Sequence, residues 1–291
     1  MPLLKIRIMR LKHGLVEIHS AVALFGLAGL FGKWLPLSPP FIVLGRVAFA
    51  SLALGILIAA TRFSLRGVLK DSAGLLAVMG AVLAVHWAAF FQSVQVSSVA
   101  VGLLSYACFP VFTVLLEPLL FREKLAGANL ALAGLCLAGV FFIVPRFDPS
   151  DAVFRGVLWG LVSGFTFAVL AVFNRRLAQK HAALAVAFVE DLTAALLFAP
   201  ILIIQRPFIN GRSMLLLAVL GVICTAGAHT LFIQGMRQVR AQTASIISSL
   251  EPVYGIVLAF WLLGERPSAR TLLGGAIILA AVTVISLRER S

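Results

Sequence analysis

Long apolar runs recur along the chain at roughly 15–35, 41–60, 72–93, 98–121 and 126–144, and again at 154–173, 183–204, 214–235, 242–263 and 271–287. Each is about long enough to cross roughly 30 Å of hydrocarbon as a helix. None keeps the strict alternation of apolar and polar residues that a membrane β-strand needs. The pattern predicts an all-α integral membrane protein with ten transmembrane helices. The runs cover about 209 residues and leave about 82 for both ends and nine connections, the longest of which runs from Thr61 to Asp71. Lys5, Arg7, Arg10 and Lys12 precede the first run, which continues to Leu35 without a polar cleavage region. It therefore reads as an anchor and first span, not as a cleaved signal.

Composition supports this reading. The 291 residues are 61% hydrophobic and 12% charged, with a mean hydropathy of +1.06, against about 45–50% and about 25% in soluble domains. The segments between runs are too short for a nucleotide-binding domain, which argues against an ATP-driven pump. A formal charge of +13 would suggest nucleic acid in a soluble fold. Here the 24 Lys and Arg lie mostly between apolar runs, so they read as topology signals and no nucleic-acid partner is expected. With the N-terminus inside, sixteen fall in cytoplasmic segments and seven outside, while Arg46 lies within the second run. Both termini are thus expected in the cytoplasm. Cys108, Cys136 and Cys224 each sit inside an apolar run and read as buried hydrophobes.

Sliding the chain against itself by 142 residues exposes an internal repeat. Phe90 and Gln92 land on Phe232 and Gln234, Pro110-Val111-Phe112 on Pro252-Val253-Tyr254, and Glu123-Lys124 on Glu265-Arg266. Generic likeness of apolar helices explains none of the Gln, Pro and Glu matches. Two five-span units are implied, residues 1–145 and 146–291. Five is odd, so the second unit enters the membrane from the opposite side, as an inverted repeat. Such a pair is suited to alternating access around one central site.

A proline in the fourth helix of each half and Glu-Lys or Glu-Arg after it make the chain resemble the drug/metabolite transporter superfamily, in its EamA-type branch. Arg46, within Leu44-Gly45-Arg46-Val47, resembles that family's second-span arginine, and Gly264-Glu265-Arg266 with Gly274 keeps its Gly-Glu step. The first half departs from it, with Phe121-Arg122-Glu123 and Leu132 at the matching places. The resemblance implies a bacterial inner-membrane exporter of amino acids and related metabolites. It also implies peripheral fifth and tenth spans, available as contacts in a homo-oligomer.

Polar groups deep in a span are costly and usually face a cavity or a partner. Glu251 lies near the middle of the ninth run, and His86 and His229 lie deep in the third and eighth. Shifted by 142, His229 lands on Trp87, the neighbour of His86. Pro252 cannot donate to the Ser248 carbonyl, nor Pro110 to that of Tyr106. These helix breaks are candidate gating points beside a substrate site. Tyr106, Pro110, Thr113 and Glu117 share a helical face, as do Trp159, Ser163 and Thr166, and also Ser248, Glu251 and Gly255. The substrate-binding candidates are therefore His86, Trp87, Tyr106, Trp159, Ser163, His229, Ser248 and Glu251. The Ser and Thr hydroxyls are equally explained as interhelical bonds. Of the adjacent Glu190 and Asp191, one is expected to face the bundle and the other the inner interface. Arg46 reads either as a site residue or as an anchor snorkelling to the outer surface. Gly156, Gly160 and Gly164 form a small-residue ridge for close helix packing.

Together these features predict a secondary exporter of small metabolites, foremost amino acids with aromatic or apolar side chains. Export of drugs, nucleosides or other metabolites is the alternative on the same fold. No Gly-x-Ser-Gly or His-Glu-x-x-His motif is present, so an intramembrane enzyme is disfavoured, and no metal or cofactor is expected. The expected partners are a small-molecule substrate and the lipid bilayer.

Overall fold

The computed structural model describes residues 2–121, 127–206, 208–239, 244 and 247–288. The expected Glu123-Lys124 step after the fourth run lies outside them. The described residues are almost wholly helical, with no strand among them. In chain order the helices are α1 (Pro2–Trp34), α2 (Pro39–Thr61), α3 (Arg66–Val96), α4 (Val99–Tyr106), α5 (Phe109–Phe121), α6 (Gly127–Ile143) and α7 (Ala152–Lys180). There follow α8 (Ala183–Phe198), α9 (Ile201–Gln205), α10 (Gly211–Gly221), a π-helical turn (Val222–Gly227), α11 (Ala228–Gly235), α12 (Glu251–Leu263) and α13 (Ala269–Arg288).

Among the described residues, seven helical stretches are long and apolar enough to cross a membrane, from His13–Trp34 to Gly211–Gly235. Ala131–Ile143, Glu251–Leu263 and Ala269–Val284 are shorter apolar helices at the places of the fifth, ninth and tenth runs. Helix starts follow local chemistry. The side chains of Ser98, Asp151 and Asn210 accept backbone N–H groups of Val101, Phe154 and Ser213, occupying donors that a first turn leaves free.

The fourth run, where Pro110 predicts a helix break, is broken at Ala107–Cys108 between α4 and α5. A second break at Ser249–Leu250 precedes α12. The two are in register at 142 residues: Tyr106 matches Ser248, and Phe109 matches Glu251. The hydrogen bonding matches too, Cys108 N donating to Ser105 O at 3.3 Å and Leu250 N to Ile247 O at 3.0 Å. Pro110 and Pro252 each stand second in the helix after the break, where a missing N–H costs little. The break follows from the rigid ring, which cannot continue the preceding helix.

The bundle packs α3 against α7 and α8, α1 against α11 and α12, α2 against α8 and α10, and α4 against α7. One apolar cluster fills this centre. A second, peripheral cluster joins α5, α6 and α13, and contains Cys108 and Cys136. Outward faces carry apolar side chains such as Ile204 and Trp261, the arrangement a lipid solvent favours.

Candidate functional site

The centre of the bundle holds a slender cavity with room for a few water molecules. Aromatic rings wall it: Phe25, Trp87, Phe90, Tyr106, Phe167 and Phe232. Its polar lining is Arg46, His86, Asn174, His229 and Glu251. Seven elements supply these residues, so the cavity exists only in the assembled bundle.

Arg46, on α2, is 2% exposed. Its guanidinium carbon lies 3.8 Å from the centroid of Trp87 and 5.5 Å from that of Phe91. Its Nε donates to Thr225 Oγ1 at 3.0 Å. Thr225 in turn donates to Leu220 O at 2.7 Å, five residues back, which is the spacing of the π turn. The extra residue of a π turn shifts the register of the helix locally and presents Thr225 to the arginine. Arg46 therefore points into the bundle and is not an interfacial anchor.

His86 is fixed by Ser163. Its Nδ1 lies 2.9 Å from Ser163 O and 3.0 Å from Ser163 Oγ. A carbonyl can only accept, so Nδ1 carries the hydrogen and Nε2 is left facing away. The ring also stands 5.6 Å from Tyr106 and 5.3 Å from Phe167. The Tyr106 hydroxyl is directed at the buried Glu251 carboxylate, whose Oε2 has no hydrogen-bond partner.

His229 stands edge-on to Trp87, with centroids 5.9 Å apart, so residues matched by the 142-residue register are in contact. Its Nε2 lies 3.4 Å from Glu190 Oε2 and its Nδ1 3.8 Å from Asp191 Oδ1. Asn174 donates to Glu190 Oε2 at 3.1 Å. Glu190 and Asp191 are both 0% exposed. The expectation that one of them would reach the interface is corrected, because α2 and α3 both pack on α8 and enclose adjacent faces of it.

The structure thus brings His86, Trp87, Tyr106, His229 and Glu251 to one cavity, with Ser163 behind His86. Trp159 stands apart: it is 44% exposed, at the edge of the buried stripe of α7, where a side chain as large as indole turns outward. Ser248 is buried with an unpartnered hydroxyl but does not line the cavity. Gly156, Gly160 and Gly164 lie where α7 meets Ser97, Ser105 and the Tyr106 carbonyl. A Cβ on Gly164 would stand 2.8 Å from Tyr106 O, the carbonyl that Pro110 leaves without its helical donor. Sequence reasoning underweighted Arg46 and missed Asn174. The only signal for Asn174 was an amide just past the end of the sixth run, before Arg175 and Arg176.

A bundle of long apolar helices around an enclosed polar centre is a multi-pass membrane protein. The chain belongs to the EamA-like transporter family, which matches residues 13–144 and again 154–287, and it is a membrane transporter of that family. It is 31% identical over 203 residues to an uncharacterized transporter of Archaeoglobus fulgidus, covering 69% of this chain and 72% of that one. It is 25% identical over 292 residues to the uncharacterized inner membrane transporter YicL of Salmonella typhimurium, covering 96% and 97%. A protein crystal structure shares the fold, with a TM-score of 0.68 at 22% identity over 96% of this chain and 99% of that one.

Proposed function

We propose that this transporter is a secondary exporter of amino acids, foremost those with aromatic or apolar side chains, working by alternating access around the central cavity. The observation that carries the reading is that Arg46 and Glu251 line the same aromatic-walled space. A zwitterion needs a cation for its carboxylate and an anion for its ammonium. Arg46 supplies the first and Glu251 the second, while the rings around them take an apolar side chain. The cavity has room for only a few waters, so a substrate requires the helices around it to part.

The mechanical part of the reading has ten spans in two inverted halves, 1–145 and 146–291. It is supported by the two helix breaks in register and by the double family match. Packing supports it too: α3 on α7 is the counterpart of α11 on α1, and α5 on α7 that of α12 on α1. An inner-membrane location follows the YicL relative, and cytoplasmic termini follow the Lys and Arg count.

The test is counterflow of radiolabelled amino acids in proteoliposomes. Saturable uptake that is accelerated by unlabelled phenylalanine on the far side is expected. Absence of flux across a panel of amino acids, with folded protein verified, would overturn the reading.

A further inference from the structure

The central groups do not balance in charge. With the carboxylates ionised and both imidazoles neutral, Glu190, Asp191 and Glu251 face, among the described residues, one fixed cation, Arg46. All four are enclosed, and an uncompensated charge in such a place is strongly disfavoured. The groups that meet here come from every neighbouring element: Arg46 of α2, His86 of α3, Tyr106 of α4, Asn174 of α7, Cys224 of the π turn, His229 of α11 and Glu251 of α12. None adds a second permanent positive charge. The surplus must be met by ions that come and go. Protons and the cationic end of a substrate are the positive charges that titratable groups in such an arrangement accept.

Geometry locates the protons. His229 lies between Glu190 and Asp191 at 3.4 and 3.8 Å, within ion-pairing reach of both carboxylates but longer than a good hydrogen bond. Glu190 Oε1, both Asp191 oxygens and His229 Nδ1 are buried without a hydrogen-bond partner, so the cluster has unused acceptors. The two carboxylates do not line the cavity, whereas His229, Asn174 and Arg46 do. His229 therefore connects the cluster with the cavity.

We propose that Glu190, Asp191 and His229 form a proton-binding site beside the substrate cavity, and that the ammonium group of a net-cationic substrate displaces a proton from the acidic centre. This rests on the export reading. One positive charge enters as one proton leaves, so outward movement of an amine is exchanged for inward movement of a proton. A zwitterion displaces none, because its carboxylate engages Arg46 and cancels the charge its ammonium brings. The inference separates two substrate classes that share one cavity: amines are driven by the proton gradient, and neutral amino acids follow their own gradient.

The experiment uses the full chain in detergent with Trp34, Trp159 and Trp261 replaced by phenylalanine, so that Trp87 is the one remaining indole. A charge gained or lost at His229 alters Trp87 emission because the rings touch. Emission is expected to follow a sigmoid between about pH 5 and pH 9. The amplitude should fall at least by half in Glu190→Gln/Asp191→Asn and persist in Glu251→Gln. A flat trace in the parent protein, or an unchanged one in the double variant, overturns the site. Displacement is read in weak buffer as about one proton released per phenethylamine bound and none per phenylalanine bound. Failure of phenethylamine to bind, or binding without release, overturns the exchange. The emission titration needs no substrate, so a failed phenylalanine counterflow rejects the export reading while the proton site is still judged by Trp87.

Discussion

The guanidinium of Arg46 lies over the indole of Trp87, 3.8 Å from the ring centroid and shut away from solvent. A desolvated contact of this kind contributes about 2 kcal/mol. Trp87→Leu should therefore lower thermal stability and at least halve transport, whereas Trp87→Phe keeps part of both. Arg46→Lys should behave as a loss, because an ammonium has no flat face to lay on the ring and no Nε to reach Thr225. Melting temperature and initial counterflow rates, measured together, check this.

The ridge of α7 makes a packing prediction. A Cβ on Gly160 runs into Ser105, and overfilling a tight interface costs about 1–3 kcal/mol. Gly160→Val should lower the melting temperature, and pairing it with Ser105→Gly should recover part of the loss. If Gly160→Val melts as the parent does, α7 does not lie this close to α4.

Glu265 joins the segment after α12 to the start of α4. Its carboxylate accepts the N–H of Val99, the first residue of α4, at 3.0 Å through Oε2 and 3.4 Å through Oε1. A carboxylate at a helix start meets both a free donor and the positive end of the dipole. Glu265→Ala should cost about 1 kcal/mol in thermal unfolding, and Glu265→Gln less. Equal melting of all three proteins would reject the contact.

The Cys108 and Cys136 sulfurs stand 3.2 Å apart, both buried in the peripheral cluster. A bond requires them to approach to about 2.05 Å. A membrane-permeant oxidant should remove two of the three thiols, counted after denaturation, while leaving Cys224. Cys136→Ser should abolish this loss without forming dimers.

Much of the interior was legible as depth. Glu251, His86 and His229 stand far inside their runs, and a costly group there has little choice but to face the cavity they share. The prolines announced both helix breaks. What escaped was register. Arg46 looks shallow because it stands five residues past the start of its run, and nothing in Val222–Gly227 announces the π turn that brings Thr225 to it. Glu190 and Asp191 seemed bound to part because successive residues diverge by about 100°. They do diverge, but α8 is enclosed on both sides. Trp159 failed in the opposite way: a shared face with Ser163 fixes an angle and says nothing of whether a bulky ring fits.

The register between the two breaks has a kinetic consequence. At matching places after them the first half carries Phe109 and the second Glu251. In the proposed alternating-access cycle, breaks that were alike would let the two proposed halves swap conformations at no cost there, and the carrier would idle equally on either side. With a ring at one hinge and a carboxylate at the other, the two openings are unequal. If the cycle runs as proposed, the resting molecule should favour one side of the membrane, and half-saturating concentrations measured from the two sides should differ.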